Sequence, residues 1–215
     1  MKKIESTLPS MVIVLAGVAV IFGGLLAFVN HATETTIQKQ DEIALANGIK
    51  AVMGAENIQV TDNTELTQGT GKSDERFVIH HVSDNNGNPI GAAVESTSLG
   101  FGGDLNVLVG FDKSGTVLGY TILQHSETPG LGAKADTWFQ ASGKGSIIGK
   151  SLAGGYTLSV SKDGGDIDAI TASTITSRAF LKAVNAAYAA YAGTDYDATS
   201  GATPQAVPQD NDQPK

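Results

Sequence analysis

The longest hydrophobic run of the chain lies close to its start. Residues 8–29 are mostly apolar and carry no charged side chain. About twenty such residues are enough for a helix to cross a bilayer, so the run predicts one transmembrane helix after a short N-terminal segment of residues 1–7. A cleaved signal peptide is the alternative, but it usually has an apolar region of about 7–15 residues and a small-residue cleavage site. Residues 28–31 offer no such site, which favours a retained anchor.

Positive charge predicts how this helix is oriented. Lys2 and Lys3 precede the apolar run, and the next basic residue is Lys39. Because basic residues collect on the cytoplasmic side of membrane helices, the N-terminus is expected in the cytoplasm. The larger part of the chain is then expected outside the cytoplasm.

Shorter hydrophobic patterns predict the elements that follow. Residues 33–53 carry one apolar stripe, which is typical of a helix, whereas residues 55–74 are polar and are expected to be irregular. Four β-prone runs come next, at residues 76–82, 90–96, 105–111 and 116–123. Turn sequences at 85–88 and 112–115 join them into two antiparallel hairpins.

The last part of the pattern predicts helices and a further strand. A short helix is expected over 133–141, a strand over 156–160 and a longer helix over 175–192. Four residues of the longer helix recur at helical spacing and predict an aromatic-rich face packed on the sheet: Phe180, Val184, Tyr188 and Tyr191. Residues 193–215 are polar and are expected to be a disordered tail. The prediction is an α+β fold: a single transmembrane helix, then one extracytoplasmic domain over 30–192 with a mainly antiparallel sheet and flanking helices.

Composition excludes several classes of function. The 215 residues include 14 basic and 22 acidic side chains, a net charge of −8, which does not suit binding to nucleic acid. The chain has no cysteine, which excludes disulfides, thiolate zinc sites and thiolate-ligated iron–sulfur clusters. Asp163 and Asp166 could belong to a calcium-binding loop, but the full spacing of calcium ligands does not follow them. A hairpin loop explains them better, and we predict no metal site. Any redox chemistry must therefore use a cofactor that is held by other means.

Candidate chemistry is concentrated in residues 168–177, Asp-Ala-Ile-Thr-Ala-Ser-Thr-Ile-Thr-Ser. Hydroxyl side chains at the start of a helix often serve only as caps, and capping alone would explain one or two of them. The segment has more hydroxyls than one cap needs, and the first turn of a helix also favours an anion such as phosphate. Two interpretations of residues 168–177 remain at this point, a helix-capping segment and a phosphate-binding site.

The segment resembles the flavinylation motif of the FMN-binding domain family, Asp-x-x-Ser-Gly-Ala-Thr-x-Thr-Ser. The resemblance implies that Thr174 is esterified to the phosphate of FMN by a separate flavin transferase that uses FAD as donor. Thr171, Ala172 and Ser173 depart from the family's Ser-Gly-Ala. Ala172 in place of glycine would matter if the loop needs a positive φ there.

Two further segments resemble the same family. Residues 125–132, His-Ser-Glu-Thr-Pro-Gly-Leu-Gly, match a loop of its electron-transport members, although a type II Pro-Gly turn explains Pro129 and Gly130 by itself. Residues 99–103 match a glycine-rich stretch less specifically, with Phe101 in place of the usual tyrosine. The resemblance implies that seven residues hold the cofactor: Thr174 covalently, and Thr128, Gly130, Leu131, Ser173, Thr176 and Arg178 around it. Arg178 is expected near the phosphate.

The opening residues 3–11, Lys-Ile-Glu-Ser-Thr-Leu-Pro-Ser-Met, resemble the RnfG family of Rnf electron-transport complexes. The corresponding flavin protein of the sodium-translocating NADH:quinone reductase is a near relative. The resemblance implies a covalent FMN carrier in a membrane-bound, ion-translocating ferredoxin:NAD oxidoreductase, with no catalysis of its own. The implied partners are the other proteins of that complex, the flavin transferase and membrane lipid. A membrane-anchored ligand-binding or scaffold protein without a redox role is the alternative.

One sequence feature competes for the modification. Residues 197–203 match the front of the flavinylation motif more closely by letter than residues 168–174 do. Thr203, however, is followed by Pro-Gln-Ala rather than by the trailing Thr-Ser, and it lies in the predicted tail. We therefore favour Thr174 and expect Thr203 to be a decoy.

Overall fold

The N-terminal hydrophobic run forms the first part of a long helix. In a computed structural model, which describes residues 8–68 and 75–194, helix α1 spans Leu8–Met53 without a break. The segment Leu8–Glu34 is long and apolar enough to cross a membrane, and its large hydrophobic side chains are exposed. The structure thus merges into one helix the two helices that the sequence predicts over 8–29 and 33–53.

The chain divides into two units between Leu45 and Ala46, and the second unit contains an antiparallel sheet. Its strands are β1 (Ile58–Gln68), β2 (Glu75–Asp84), β3 (Pro89–Leu99), β4 (Asp104–Asp112) and β5 (Val117–Gln124). They pair in sequence order, and every neighbour is antiparallel. The predicted α+β class with a mainly antiparallel sheet is confirmed.

Aspartate side chains form the two predicted hairpin turns. Asp84 Oδ1 accepts hydrogen bonds from the backbone N–H groups of Asn86 and Asn88, between β2 and β3. Asp112 Oδ1 does the same for Ser114 and Thr116, between β4 and β5. Such bonds to neighbouring amides are why aspartate favours turns, and both predicted hairpins are confirmed.

Two predictions about the secondary structure were wrong. The polar stretch expected to be irregular contains β1, an edge strand that pairs only with β2 and needs no alternating apolar face. The strand expected over 156–160 forms only a single bridge, between Val160 and Ile167. The backbone N–H and C=O of Leu158 instead bind the side chain of Asn185, at 2.9 and 2.8 Å.

Helix α3 (Thr174–Ala192) covers one face of the sheet. The ring of Phe180 stacks on Phe139 at 4.3 Å and meets Tyr120 edge-on at 4.7 Å, while Tyr191 stacks on Phe111. The predicted aromatic face is confirmed. Helix α2 (Ala135–Trp138) is shorter than the predicted helix over 133–141 and follows a 3₁₀ turn at Gly132–Lys134.

The last turns of α1, which belong to the same unit, pack against β4 and β5 on the opposite face of the sheet. Ile49, Val52 and Met53 are buried there, and Val52 lies beside Gly110 and Gly119 of β4 and β5. Helix α3 ends at Ala192, and Gly193 is its C-cap. The predicted tail from residue 195 onward, including Thr203, lies outside the described residues.

Candidate functional site

A buried carboxylate joins the three segments that the sequence singled out. Glu127, in the loop after β5, is only 5% exposed. Its Oε1 accepts hydrogen bonds from the backbone N–H groups of Phe101 (2.7 Å) and Gly102 (3.2 Å), between β3 and β4. Its Oε2 accepts a 2.7 Å bond from the Thr176 hydroxyl in the first turn of α3. These bonds satisfy a charge that would be costly to bury alone.

The loops around this carboxylate are packed too tightly for larger residues. A Cβ atom at Gly100 would lie 2.1 Å from Glu127 Oε1, and one at Gly132 would lie 2.3 Å from Oε2. Either contact would push the carboxylate off its donors. Glycine at these two positions thus leaves room for Glu127 to join the segments.

The loop that supplies Glu127 has a defined shape of its own. His125 Nδ1 accepts a 3.1 Å hydrogen bond from the backbone N–H of Glu127, and its Nε2 lies 3.7 Å from Asp136 Oδ2. Leu131 N–H donates to the carbonyl of Thr128 at 3.1 Å, and Gly130 has φ 76°, which confirms the predicted type II turn.

This turn brings exposed residues to the site. Thr128, Gly130 and Leu131 are all exposed, Leu131 by 42%. Phe101, whose N–H is bound to Glu127, is 69% exposed. Two loops that contain or bind Glu127 therefore each carry an exposed apolar side chain. A cavity of about 450 Å³ lies beside the same loop, lined by Thr121, Ile122, Leu123, Gln124, His125 and Asp136.

The loop before α3 adopts the left-handed conformation that the sequence raised as a question. Ala172 has φ 61°, and among the residues that the structure describes it is the one non-glycine residue with a positive φ. An alanine in this region costs roughly 1–2 kcal/mol relative to the right-handed region. The sequence left open whether the loop needs a positive φ here, and the structure shows that it has one.

The hydroxyls of this segment have different partners. Ser177 Oγ accepts from Ile170 N–H and donates to the Ser173 carbonyl, both at 2.9 Å, and so holds the loop against the helix. Ser173 is the N-cap of α3 and is 8% exposed, but its side chain makes no capping bond, so the simple capping interpretation was wrong. Thr176 is bound to Glu127. Thr174, the first residue of α3, is partly exposed.

Charged residues lie beside Thr174. The ammonium of Lys162 is 3.4 Å from Thr174 Oγ1. One turn along α3, Arg178 binds Asp163 with both arms of its guanidinium, Nε to Oδ2 at 2.7 Å and Nη2 to Oδ1 at 2.6 Å. This pairing lowers the pKa of Asp163 below its usual value and raises the pKa of Arg178. Arg178 was expected near a phosphate, and the structure places its guanidinium on Asp163.

The two aspartates of the weak calcium-loop hypothesis have separate partners. Asp163 binds Arg178, whereas Asp166 accepts hydrogen bonds from Lys150 and from the Tyr156 hydroxyl. Burial of the ring, together with the bond to Asp166, raises the pKa of Tyr156 to about 12. The described residues contain no group of acidic or histidine side chains that could hold a metal ion.

Sequence reasoning missed two residues of this site. Glu127 was noted only as one position of the 125–132 motif, and no role was predicted for it. Its hydrogen-bond partners lie 25 to 49 residues away, so no local pattern reveals them. Lys162 was not singled out at all, since a lysine in a polar loop is usually solvated. The turn that carries it, a 3₁₀ helix at Ser161–Asp163, faces the start of α3 only because the chain folds back there.

The residues present fit FMN. A phosphate on Thr174 would lie beside the ammonium of Lys162 and at the start of a 19-residue helix, where anions are stabilised. The exposed apolar side chains of Phe101 and Leu131, on loops joined to α3 through Glu127, suit the flat, largely apolar ring of a flavin.

Two segments of the chain match known protein families. Residues 100–189 match the FMN-binding domain family, and residues 1–52 match the RnfG N-terminal region. The first match includes Phe101, Glu127, Lys162 and Thr174. The second covers most of α1.

Similarity to individual proteins extends over most of the chain. It is 34% identical over 170 residues to the G component of the ion-translocating oxidoreductase complex of Vibrio vulnificus (strain YJ016), covering 75% of this chain and 78% of that protein. The protein of the same name from Escherichia coli (strain K12) is 35% identical over 179 residues, with 76% and 81% covered. That of Vibrio atlanticus (strain LGP32) is 31% identical over 182 residues, with 81% and 86% covered.

Proposed function

Since the chain belongs to the RnfG family of ion-translocating oxidoreductase complexes, we propose that it carries FMN covalently on Thr174 and transfers electrons within such a complex. The complex that the resemblance implies is a membrane-bound ferredoxin:NAD oxidoreductase. The protein acts as an electron carrier between other subunits and has no catalytic activity by itself.

The position of Thr174 is the observation that supports this function best. Its neighbours Thr176 and Ser177 have buried hydroxyls that bind Glu127 and the preceding loop. Thr174 is partly exposed at the start of α3, where a transferase can reach it. A phosphoester at Thr174 therefore breaks none of the hydrogen bonds that brace the segment.

The remaining site residues have distinct roles in this proposal. Thr128, Gly130 and Leu131 line the flavin ring, together with Phe101. Ser173 and Thr176 hold the start of α3 in place, and Arg178, paired with Asp163 one turn away, holds the neighbouring turn against α3. FMN accepts and donates one or two electrons, while the protein sets its position and electrostatic environment.

Covalent attachment suits a carrier outside the cytoplasm. We propose that α1 crosses the inner membrane with Lys2 and Lys3 on the cytoplasmic side, so that the flavin domain is periplasmic. A flavin released there would be lost, whereas a flavin tethered to an anchored protein stays close to its partner subunits at high effective concentration. In this arrangement the lipid contacts are those of residues 8–29.

A denaturing gel tests the proposal. The full-length protein is expressed with a flavin transferase, boiled, separated and viewed under ultraviolet light. Flavin fluorescence on the protein band is expected, and the Thr174→Val variant should give a dark band of equal protein amount. A dark band for the unmodified sequence would contradict the proposal and favour the alternative of a scaffold or ligand-binding protein without a redox role.

A further inference from the structure

We propose that Lys162 is the counter-ion of the phosphate on Thr174, and that it promotes the attachment of the flavin. This inference rests on the proposed function and assigns a role at the same site to a residue outside the motif. Arg178, the cation expected from the sequence to be near the phosphate, then acts as a structural brace.

The geometry distinguishes the two cations. Lys162 Nζ lies 3.4 Å from Thr174 Oγ1, the atom that would carry the phosphorus. Both arms of Arg178 are bound to the two oxygens of Asp163 at 2.6 and 2.7 Å. An arginine held by a bidentate carboxylate has less freedom to meet a new anion, whereas a lysine ammonium is a point charge on a flexible stem.

The Asp163–Arg178 pair also positions Lys162. Asp163 follows Lys162 directly in the 3₁₀ turn Ser161–Asp163, and its ion pair attaches that turn to α3. The turn is closed further by hydrogen bonds from Ser161 N–H to the Ile167 carbonyl and from Gly165 N–H to the Val160 carbonyl. The lysine is therefore presented to the attachment hydroxyl by a folded loop.

The charge of Lys162 matches the chemistry of the attachment. Thr174 Oγ1 forms a bond to the phosphorus of FAD that bears riboflavin, the bond from that phosphorus to AMP breaks, AMP leaves and the hydroxyl proton is released. The phosphoester product carries one negative charge beside Thr174, and charge also develops on the phosphoryl oxygens during transfer. An ammonium at this position stabilises both.

Flavin transfer to charge variants of the full-length protein tests the inference. The proteins are purified in detergent without flavin, incubated with purified flavin transferase and FAD, and the initial rate of covalent labelling is measured as a function of protein concentration. The variants are Lys162→Gln, Lys162→Arg and, as a matched control, Lys113→Gln in the β4–β5 hairpin at the opposite end of the sheet. Urea unfolding, followed by the fluorescence of Trp138, identifies the variants that are folded.

Loss of the charge should slow labelling. For Lys162→Gln we expect kcat/KM to fall about fivefold, the effect of one partly exposed ion pair, and Lys162→Arg should restore most of it. Lys113→Gln should label like the unchanged protein. The difference between the unchanged protein and Lys162→Gln should shrink as salt rises from about 0.05 to 0.5 M, because screening weakens an ion pair, whereas a purely structural effect would persist.

Two results would overturn the inference, and they are distinguishable. Equal kcat/KM for the unchanged protein and Lys162→Gln means that Lys162 is not the counter-ion, even though the flavin is attached. A salt-independent loss that Lys162→Arg does not restore means that the residue acts through the fold alone. Absence of labelling in the unchanged protein overturns the proposed function itself.

Discussion

The Thr176 hydroxyl donates a 2.7 Å hydrogen bond to Glu127 Oε2, across 49 residues of sequence. Both groups are buried, and the same carboxylate also accepts the backbone N–H groups of Phe101 and Gly102. Two residues before Thr176 on the same helix is Thr174, the proposed attachment residue. Glu127 therefore holds the start of α3 against the two loops that are proposed to receive the flavin ring.

Removal of the Glu127 carboxylate should destabilise the domain strongly. Glu127→Ala leaves the buried Thr176 hydroxyl and two partly buried backbone N–H groups without their acceptor. Because an unsatisfied buried donor costs about 1–3 kcal/mol and the N–H groups are less buried, we expect a loss of roughly 2–3 kcal/mol. Glu127→Gln should cost less, because its amide oxygen can still accept from the two N–H groups and its NH₂ can donate to Thr176. Urea unfolding followed by Trp138 fluorescence measures both.

A double-mutant cycle isolates the Glu127–Thr176 bond. Thr176→Val removes the donor at nearly constant volume. If the two residues interact as the structure shows, the cycle with Glu127→Ala, which removes the acceptor, should give a coupling energy of about 1 kcal/mol or more. Additive effects of the two changes would contradict the contact.

Ala172→Gly should stabilise the protein. The left-handed conformation costs alanine roughly 1–2 kcal/mol, and glycine removes this cost from the folded state. Glycine also makes the unfolded chain more flexible, which lowers the stability by about 0.4–1 kcal/mol. A net gain of about 0.5–1 kcal/mol in the free energy of unfolding is expected. The matched control is Ala141→Gly, an exposed alanine without a positive φ, which should lose stability slightly. A loss for both variants would contradict the strain at Ala172.

The Asp163–Arg178 pair should make part of the stability depend on acid. The pKa of Asp163 in the folded protein is lowered below 3.8, chiefly by its hydrogen bonds from Arg178. A lowered pKa contributes stability that is fully present above the unfolded value and is lost as the pH falls through the folded value. Asp163→Asn should therefore cost about 1 kcal/mol at pH 7, given the partial exposure of the pair, and progressively less below pH 3.8.

Arg178→Gln provides the control for this pair. It removes the same interaction from the other side and should show the same decrease of its effect in acid. The double variant should be hardly less stable than either single variant. A cost of Asp163→Asn that stays constant down to about pH 2, well below the ordinary aspartate pKa, would show that the carboxylate charge is not what stabilises this turn.

The sequence predicted those parts of the fold that local chemistry determines. Asp84 and Asp112 mark the two hairpins because an aspartate binds the amides that follow it, and the helical spacing of Phe180 and Val184 marks the face of α3. Strand β1 escaped prediction because an edge strand exposed to water needs no apolar alternation. The strand expected near Leu158 does not form, because the distant side chain of Asn185 binds the backbone N–H and C=O of Leu158.

The sequence pointed to the proposed attachment residue, but it did not point to the residues that support it. The family resemblance pointed to Thr174 and raised the question of whether Ala172 has a positive φ. In the structure, Ala172 has φ 61°. The joining role of Glu127 and the approach of Lys162 depend on contacts between segments far apart in sequence, which no spacing rule contains.

Reporter fusions test the proposed orientation. Alkaline phosphatase joined after Lys215 should be active, since it requires export, and green fluorescent protein at the same position should be dark. The control reverses the reporters at the N-terminus, where fluorescence is expected. A fluorescent C-terminal fusion would contradict a periplasmic flavin domain and the assignment of Lys2 and Lys3 to the cytoplasmic side.

Mass spectrometry of proteolytic peptides tests the attachment of FMN to Thr174 most directly. The full-length protein, produced with a flavin transferase, is compared with Thr174→Val and Thr203→Val. We expect the added mass of FMN on the peptide that contains Thr174, its loss in Thr174→Val, and full labelling in Thr203→Val. FMN on the peptide that contains Thr203, with Thr174→Val still fully labelled, would contradict the assignment and move the flavin to the C-terminal segment.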